Sequence, residues 1–328
     1  MPSVLITTEA VREVPGKHLD MLRAAGYDVR YPAKNVLLTE DDTLEALQGY
    51  VAVHAGGEPY AERVLAGLPE LRVIARNGVG YDRIDVEAAT RHGVAVAITP
   101  EGNHQAVAEH ALSLVLAVAR RIVQDAVDTR AGHWRRRKVF VPLRGSTLGI
   151  VGLGRIGKSV AVRAAAFGMR LVAFEQFPDR EFARKYNVEL VDLDTLLAQS
   201  DFVTLHTPMT PQTRELINRD TLAKMKRGSV LVNTARGGLV NEADLLAALV
   251  SGHLAGAGFD VLTVEPPAAD DPLLKLDNVI VTPHVAAFDK RALEDMAVAA
   301  AQNILDLLDG RWPAASIVNP EVQSAFRR

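Results

Sequence analysis

An α/β fold organised as two domains, each built on a parallel sheet, is what this sequence predicts, and three observations carry the prediction. Short apolar runs rich in β-branched residues alternate with helical patterns almost throughout the 328 residues. The runs are continuous rather than alternating, which suits strands covered on both faces. The alternation also pauses once and restarts, which divides the chain.

In the first part the strand-like runs are Val4-Leu5-Ile6, Val51-Ala52-Val53, Val73-Ile74-Ala75 and Val94-Ala95-Val96. Residues 104–122 then read as one long Ala/Leu/Val-rich helix. Residues 123–146 follow as a polar, basic, strandless arm carrying Trp134, Phe140 and the run Arg135-Arg136-Arg137-Lys138. A fresh strand begins at Thr147. The second set of runs is Leu148-Gly149-Ile150-Val151, Leu171-Val172-Ala173-Phe174, Phe202-Val203-Thr204-Leu205, Val230-Leu231-Val232, Ala255 to Phe259 and Val279-Ile280-Val281. Right-handed crossovers are expected between them. A last helix, about Lys290 to Leu308, is placed to return the chain to the first domain. The expected domains are therefore 1–103 with 288–328, discontinuous in sequence, and 104–287 inserted between them.

Composition narrows the class. Hydrophobic residues make up 48% and charged residues 23%, the balance of a chain with a sizeable core. A formal net charge of -3 gives no electrostatic case for nucleic acid or an anionic membrane. With no cysteine, disulfides, thiolate nucleophiles and Cys-ligated zinc are excluded, and no metal is expected. Val4-Leu5-Ile6 is too short for the core of a signal peptide. The longest apolar stretch, Ala106 to Val123, is broken by Glu109, His110, Arg120 and Arg121, so it reads as a buried helix and not a membrane span. A cytoplasmic location is the expectation.

The first motif is a glycine loop. Gly152-Leu153-Gly154-Arg155-Ile156-Gly157 follows the strand at 148–151 and opens a helical pattern from Lys158 to Phe167. In G-x-G-x-x-G the first glycine permits a tight turn, the second lets backbone approach a pyrophosphate, and the third lets helix pack on strand. Amides at the helix N-terminus then face the phosphates. Gly152 through Lys158-Ser159 also satisfies G-x-x-x-x-G-K-S, the P-loop of nucleotide hydrolases. The next strand favours the dinucleotide. It ends in Glu175, where an acid binds the ribose hydroxyls of NAD and repels the 2′-phosphate of NADP. Asp201 starts its strand and fits a P-loop partner badly; Asp260 closes one and keeps that alternative open.

A second constellation suits hydride transfer to a 2-keto acid. That reaction needs a cationic clamp for the carboxylate, a proton donor near neutrality for the carbonyl oxygen, and a partner to orient the donor. Arg236 follows the strand at 230–233 and precedes Gly237-Gly238; a guanidinium grips a carboxylate bidentately. His284 follows the strand at 279–281. His206 also follows a strand and is its rival on position; His110 reads as structural. Glu265, in Asp260-Val261-Leu262-Thr263-Val264-Glu265-Pro266, is a carboxylate able to orient a histidine, although spacing alone does not pair it with His284.

Taken together these segments resemble the D-2-hydroxyacid dehydrogenase family, in particular its D-3-phosphoglycerate dehydrogenase-like branch. The stretches that carry the resemblance are Arg76-Asn77-Gly78-Val79-Gly80-Tyr81-Asp82, Ala106-Val107-Ala108-Glu109-His110, Gly152 to Gly157, Val232 to Gly238, Asp260 to Pro266, Thr282 to Ala286 and Val318-Asn319-Pro320-Glu321-Val322. The family fold is two Rossmann-like domains with a cleft between them. The resemblance implies Arg236, Glu265 and His284 as the catalytic set. It implies a cofactor site made by Val107, Gly152, Gly154, Arg155, Ile156, Gly157, Glu175, Thr207, Pro208, Thr213, Thr234, Ala235, Arg236, Asp260 and His284. Within that site Asp260 would hold the nicotinamide carboxamide and Val107 would touch the ring. Substrate contacts would come from His54, Gly56, Arg76, the Val79 and Gly80 amides, Arg236 and His284. The expected cofactor is NAD in preference to NADP. The expected partner is a small 2-hydroxy or 2-keto acid such as 3-phosphoglycerate, hydroxypyruvate or glyoxylate. A homodimer formed through the arm at 123–146 is also implied.

The chain departs from the phosphoglycerate-specific pattern in two respects. Those relatives carry an arginine near the end of the third strand to meet the phosphate, where this chain has Val53-His54-Ala55-Gly56-Gly57. Arg76 and Arg135–Lys138 remain as candidate anion contacts, a solvated arm being the alternative for the basic run. The C-terminal regulatory domain of the longer relatives is not expected after the last helix. A non-catalytic NAD-sensing protein of the same fold and a P-loop hydrolase are the alternative readings.

Overall fold

A computed structural model describes residues 2–12, 14–34, 37–134 and 140–326. The basic run Arg135–Lys138 lies outside the described residues. The chain divides into two compact units, Met1–Asn103 with Ala287–Arg328, and His104–Ala286.

The first unit holds strands β1 (Ser3–Ile6), β2 (Asp28–Arg30), β3 (Ala52–Ala55), β4 (Val73–Arg76) and β5 (Ala95–Ala97), all parallel, in the order β2-β1-β3-β4-β5. Its helices are α1 (Lys17–Ala24), α2 (Glu40–Ala46), α3 (Glu62–Ala66) and α4 (Val86–Arg91), with Lys290–Leu308 at the far end of the chain. The strands are covered on both faces, as their continuous apolar runs require. On one face Val4, Ile6 and Ala75 pack with Ala297, Ala300 and Ile304 of the C-terminal helix. On the other, Leu5, Val53 and Ile74 pack with Val64, Leu65 and Ala88. The tail is stapled to this unit by Asn319, which is fully buried. Its Oδ1 accepts the Val96 amide at 2.9 Å, and its Nδ2 donates to Thr90 Oγ1 and the Val94 carbonyl, each at 3.0 Å.

The second unit begins with α5 (His104–Ala119) and α6 (Ile122–Arg130). The helix expected over 104–122 therefore ends at Ala119, and α6 forms at the start of the stretch expected as an arm. The break falls at Arg121, whose φ of 50° is left-handed and cannot continue a right-handed helix. Strands β6 (Thr147–Val151), β7 (Arg170–Phe174), β8 (Val188–Leu190), β9 (Phe202–Leu205), β10 (Ser229–Asn233), β11 (Leu254–Phe259) and β12 (Val279–Val281) form a parallel sheet. The connecting helices are α7 (Arg155–Ala166), α8 (Arg180–Lys185), α9 (Leu193–Gln199), α10 (Arg219–Lys224) and α11 (Glu242–Val250); the helix at Lys290–Leu308, α12, belongs to the first unit. The strand order is β12-β11-β10-β9-β6-β7-β8. The order reverses between β6 and β9, and ligands of such sheets bind beside the carboxyl ends of the strands at that switch point. Leu148 and Ile150 face α5 and α7, whereas Val151 and Leu205 face α9, α10 and α11.

Two strands were not visible as apolar runs. Both β2 (Asp-Val-Arg) and β8 (Val-Glu-Leu) are three-residue edge strands that carry charge, so they lack the doubly buried pattern.

Candidate active site

The glycine loop sits at the switch point, and its three glycines do three different jobs. Gly152 has φ 95°, and a Cβ there would lie 2.7 Å from the His206 carbonyl carbon, so it lets β6 turn against the end of β9. Gly157 is packed so closely that a Cβ would lie 2.0 Å from the Gly152 oxygen, which seats α7 on the turn. Gly154 is the exception. It is exposed, and a Cβ there would meet nothing within 4 Å. Open space therefore faces the N-terminus of a twelve-residue helix, as an incoming pyrophosphate requires. Glu175 comes off β7 and bonds back to the loop: its Oε2 accepts the Leu153 amide at 2.7 Å and its Oε1 the Phe177 amide at 3.0 Å. Buried Thr234, at the end of β10, has an Oγ1 without a hydrogen-bond partner among the described residues. An open Gly154, an acid at the end of β7 and an unsatisfied hydroxyl past the end of β10 fit a dinucleotide.

The loop does not use Lys158 in the manner of a P-loop. Its Nζ pairs with Asp179 at 2.7 Å and lies 5.3 Å from the Phe182 ring centroid.

The three proposed catalytic residues come from three successive strand ends. Past β10, Asn233 closes the turn that presents Arg236: Oδ1 accepts the Ala235 amide at 3.0 Å and Nδ2 donates to the Arg236 carbonyl at 2.8 Å. Gly237 then packs its backbone on the loop after β11, where a Cβ would fall 2.0 Å from the Leu262 carbonyl carbon. That loop carries Glu265, whose Oε1 accepts the Leu262 amide at 3.0 Å. Glu265 Oε2 lies 2.8 Å from Nδ1 of His284, just past β12. His284 has φ 55°, and its side chain is half-exposed. The structure thus joins Glu265 to His284 directly, and Arg236 to their loop through Gly237.

His206 is placed differently. Its Nε2 meets Thr204 Oγ1 at 2.9 Å, its Nδ1 is sequestered without a partner among the described residues, and burial pushes its pKa down to about 3. A ring held neutral and enclosed is a poor proton donor. Asp260, expected as a cofactor contact, is 1% exposed and turns its carboxylate onto Thr282 and the Val285 and Ala286 amides.

Of the remaining cofactor positions, Val107 is buried in α5 and Ile156 packs on the core beneath α7. Arg155 is exposed, whereas Thr207 and Ala235 are half-buried. Thr213 Oγ1 donates to the Pro208 carbonyl at 2.7 Å, which shapes that loop.

The substrate positions on the first unit divide. His54 is fully buried, so the expectation that it touches substrate is corrected. Its Nε2 donates to Asn77 Oδ1 at 3.0 Å, and burial pushes its pKa down to about 4. It supports the loop 77–80 from below. The Gly56 amide is turned inward, onto Thr7 Oγ1 at 3.0 Å and Glu58 Oε1 at 3.2 Å. Arg76 lays its guanidinium along its own loop, with Nη1 donating to the Asn77 carbonyl. The Gly78 amide is held by Thr99 Oγ1 at 2.8 Å, and Val79 and Gly80 follow, half-buried. The residues that sequence reasoning missed are Asn233 and His54 in their supporting roles. A buried polar side chain leaves no periodic signal.

Comparison with known proteins places this architecture. Residues 112–286 match the family described as D-isomer specific 2-hydroxyacid dehydrogenase, NAD binding domain. The chain is 38% identical over 331 residues to a glyoxylate reductase of Korarchaeum cryptofilum, covering 98% of this chain and 97% of the relative. It is 40% identical over 303 residues to a D-3-phosphoglycerate dehydrogenase of Archaeoglobus fulgidus, covering 92% of this chain and 57% of the relative. It spans 54% of a second D-3-phosphoglycerate dehydrogenase, from Methanocaldococcus jannaschii, so it covers little more than half the length of these two relatives. The crystal structure of the TT0316 protein from Thermus thermophilus superposes with a TM-score of 0.86 at 40% identity, covering 96% of this chain and 99% of that one. The chain belongs to the D-isomer specific 2-hydroxyacid dehydrogenase family, and its unit His104–Ala286 contains that family's NAD-binding domain. Among the described residues no helix is long and apolar enough to cross a membrane.

Proposed function

We propose that this chain is an NAD-dependent D-2-hydroxyacid dehydrogenase acting on short 2-keto and 2-hydroxy acids. The observation that carries the reading is the 2.8 Å contact between Glu265 and His284, one strand away from the Arg236 turn. The nicotinamide, when bound, supplies or accepts the hydride at C2 of the substrate. Arg236 clamps the carboxylate, which fixes the face that C2 presents. Glu265 engages Nδ1, so Nε2 is the ring nitrogen directed to the substrate oxygen. His284 gives a proton from Nε2 to the carbonyl oxygen as C2 is reduced. In the oxidative direction it takes the hydroxyl proton back. A histidine held by an orienting carboxylate supports an enzyme over an NAD sensor.

Glu175 supports a preference for NAD over NADP, because a 2′-phosphate would meet a carboxylate already held in place by two amides. Relatives named for both glyoxylate and phosphoglycerate are similar to this chain. Buried His54 at the end of β3 leaves no arginine there for a phosphate, which ranks glyoxylate and hydroxypyruvate ahead of 3-phosphoglycerate. A homodimer is supported by α6. None of its residues is buried, and Ile122, Val123 and Val127 are each about half exposed.

The test is kcat/KM with NADH for glyoxylate, hydroxypyruvate and a phosphorylated keto acid, in the wild type and in Arg236→Lys. The variant keeps the charge but loses the fork, so all substrates should lose alike. A higher value for the phosphorylated acid would reverse the substrate ranking. No NADH oxidation with any of the three would remove the enzyme reading.

A further inference from the structure

Behind the His284–Glu265 pair runs a second set of polar contacts, and the hydride and proton transfers make no direct use of it. Asp260 closes β11 and is 1% exposed. Its Oδ1 accepts the Thr282 hydroxyl at 2.6 Å and the Val285 amide at 3.0 Å, and its Oδ2 accepts the Ala286 amide at 2.8 Å. Thr282 Oγ1 also lies 2.9 Å from Nε2 of His110, in the middle of α5. The same nitrogen is 3.5 Å from Asp260 Oδ1. Counting donors fixes the directions. A carboxylate accepts only, so the single hydroxyl proton of Thr282 goes to Asp260. Nε2 of His110 must then carry a hydrogen and give it to Thr282.

What these contacts grip is the backbone around His284. Its left-handed φ is a conformation that a non-glycine residue keeps only where its surroundings hold it. Here the His284 amide donates to the Asp260 carbonyl at 2.9 Å. The next two amides end on the Asp260 carboxylate. The left-handed residue is therefore bracketed from both sides by one aspartate, and that aspartate is in turn fixed by Thr282 and His110. Rotation of the Asp260 carboxylate would release both amides and let the imidazole swing away from Glu265.

We propose that His110 and Thr282 are positioning residues: the relay from His110 Nε2–H through the Thr282 hydroxyl to Asp260 holds the 282–286 loop so that His284 stays aligned with Glu265. The proposal rests on the reading of His284 as the proton donor. It couples the middle of α5 to the end of β12 within the His104–Ala286 unit, and it gives the otherwise unused His110 a defined tautomer.

Two measurements test it independently. In Thr282→Val, which keeps the shape and removes the hydroxyl, kcat for glyoxylate reduction should fall about 10–100-fold, the consequence of leaving one buried group unsatisfied. NADH affinity, read by fluorescence, should fall less than kcat, since the loop at 152–157 and Glu175 are untouched. Thr282→Ser should recover most of the loss. His110→Gln, whose amide can donate to Thr282, should lose less than His110→Leu. An unchanged kcat in Thr282→Val overturns the proposal. So does a serine variant no better than valine. Separately, ring ¹⁵N shifts of the substrate-free protein should show His110 with Nε2 protonated; a bare Nε2 overturns the relay whatever the activity. If the wild type reduces no keto acid, the proposed function fails, while the ¹⁵N experiment still decides the relay.

Discussion

Replacing Asn233 by alanine should loosen the turn that presents Arg236, and the structure allows the size of the effect to be worked out. Asn233 is fully buried at the end of β10, and one side chain closes the turn from both sides. The Ala235 amide can only donate and the Arg236 carbonyl can only accept, so the orientation of the Asn233 amide is settled by its partners. Alanine removes both bonds and leaves a donor and an acceptor without partners. At about 1 kcal/mol for each bond, rising toward 3 where the abandoned group stays dry, the loss is about 2–4 kcal/mol. For a unit of roughly 150–250 residues that lowers Tm by about 4–16 °C. Arg236 would lose its fixed position as well, so kcat/KM for glyoxylate should fall at least about tenfold. Asn233→Asp makes the mechanism specific. It keeps the acceptor for Ala235 but sets carboxylate lone pairs against the Arg236 carbonyl, so it should also lose activity despite its matching shape. The assays are calorimetry and NADH oxidation. An alanine variant with Tm within about 1 °C of wild type and undiminished kcat/KM would refute the claim that Asn233 builds the clamp.

Two further predictions concern selectivity and pH. Glu175→Ala should narrow the gap between NADH and NADPH dissociation constants by weakening the former and relieving repulsion of the latter; a wild type that binds both equally contradicts the assignment of Glu175. Burial holds His54 at about 4 and His206 at about 3 against an ordinary 6.5, so the unfolded chain takes up protons that the folded one refuses. Their contribution to stability is whole above pH 6.5 and is lost as pH falls toward 4 and 3, His54 alone accounting for roughly 3 kcal/mol. Urea unfolding at pH 7.5 and 4.5 should show the decline, and His54→Gln should flatten it; equal slopes in the two proteins would show that His54 does not carry the effect.

Much of the fold was legible in the sequence. Each of the ten apolar runs forms a strand, because a strand covered on both faces must be apolar throughout and short runs of that kind are hard to mistake when helices separate them. The edge strands β2 and β8 escaped because charge is tolerated where one side meets solvent. The break after α5 escaped because Arg120-Arg121 continues a helical pattern by composition; only the backbone shows the left-handed turn. The site was legible in residue type but not in arrangement. Sequence position does not distinguish His206 from His284, since both follow strands; burial does. Nineteen residues separate Glu265 from His284, and only the crossing of the loops after β11 and β12 brings them to 2.8 Å. His54 is the converse case, for its place after a strand suggests a ligand contact while its side chain points into the core.

The central claim is that His284 passes the proton while a hydride moves at C2, and its most direct test is single-turnover reduction of glyoxylate by NADH in wild type, His284→Ala and His206→Ala. General acid–base catalysis of this kind predicts a rate lower by about 10²–10⁴-fold in His284→Ala, with NADH binding intact. His206→Ala should lose much less, because that ring sits enclosed against Thr204. The reverse order, or a His284→Ala protein as fast as wild type, would contradict the account.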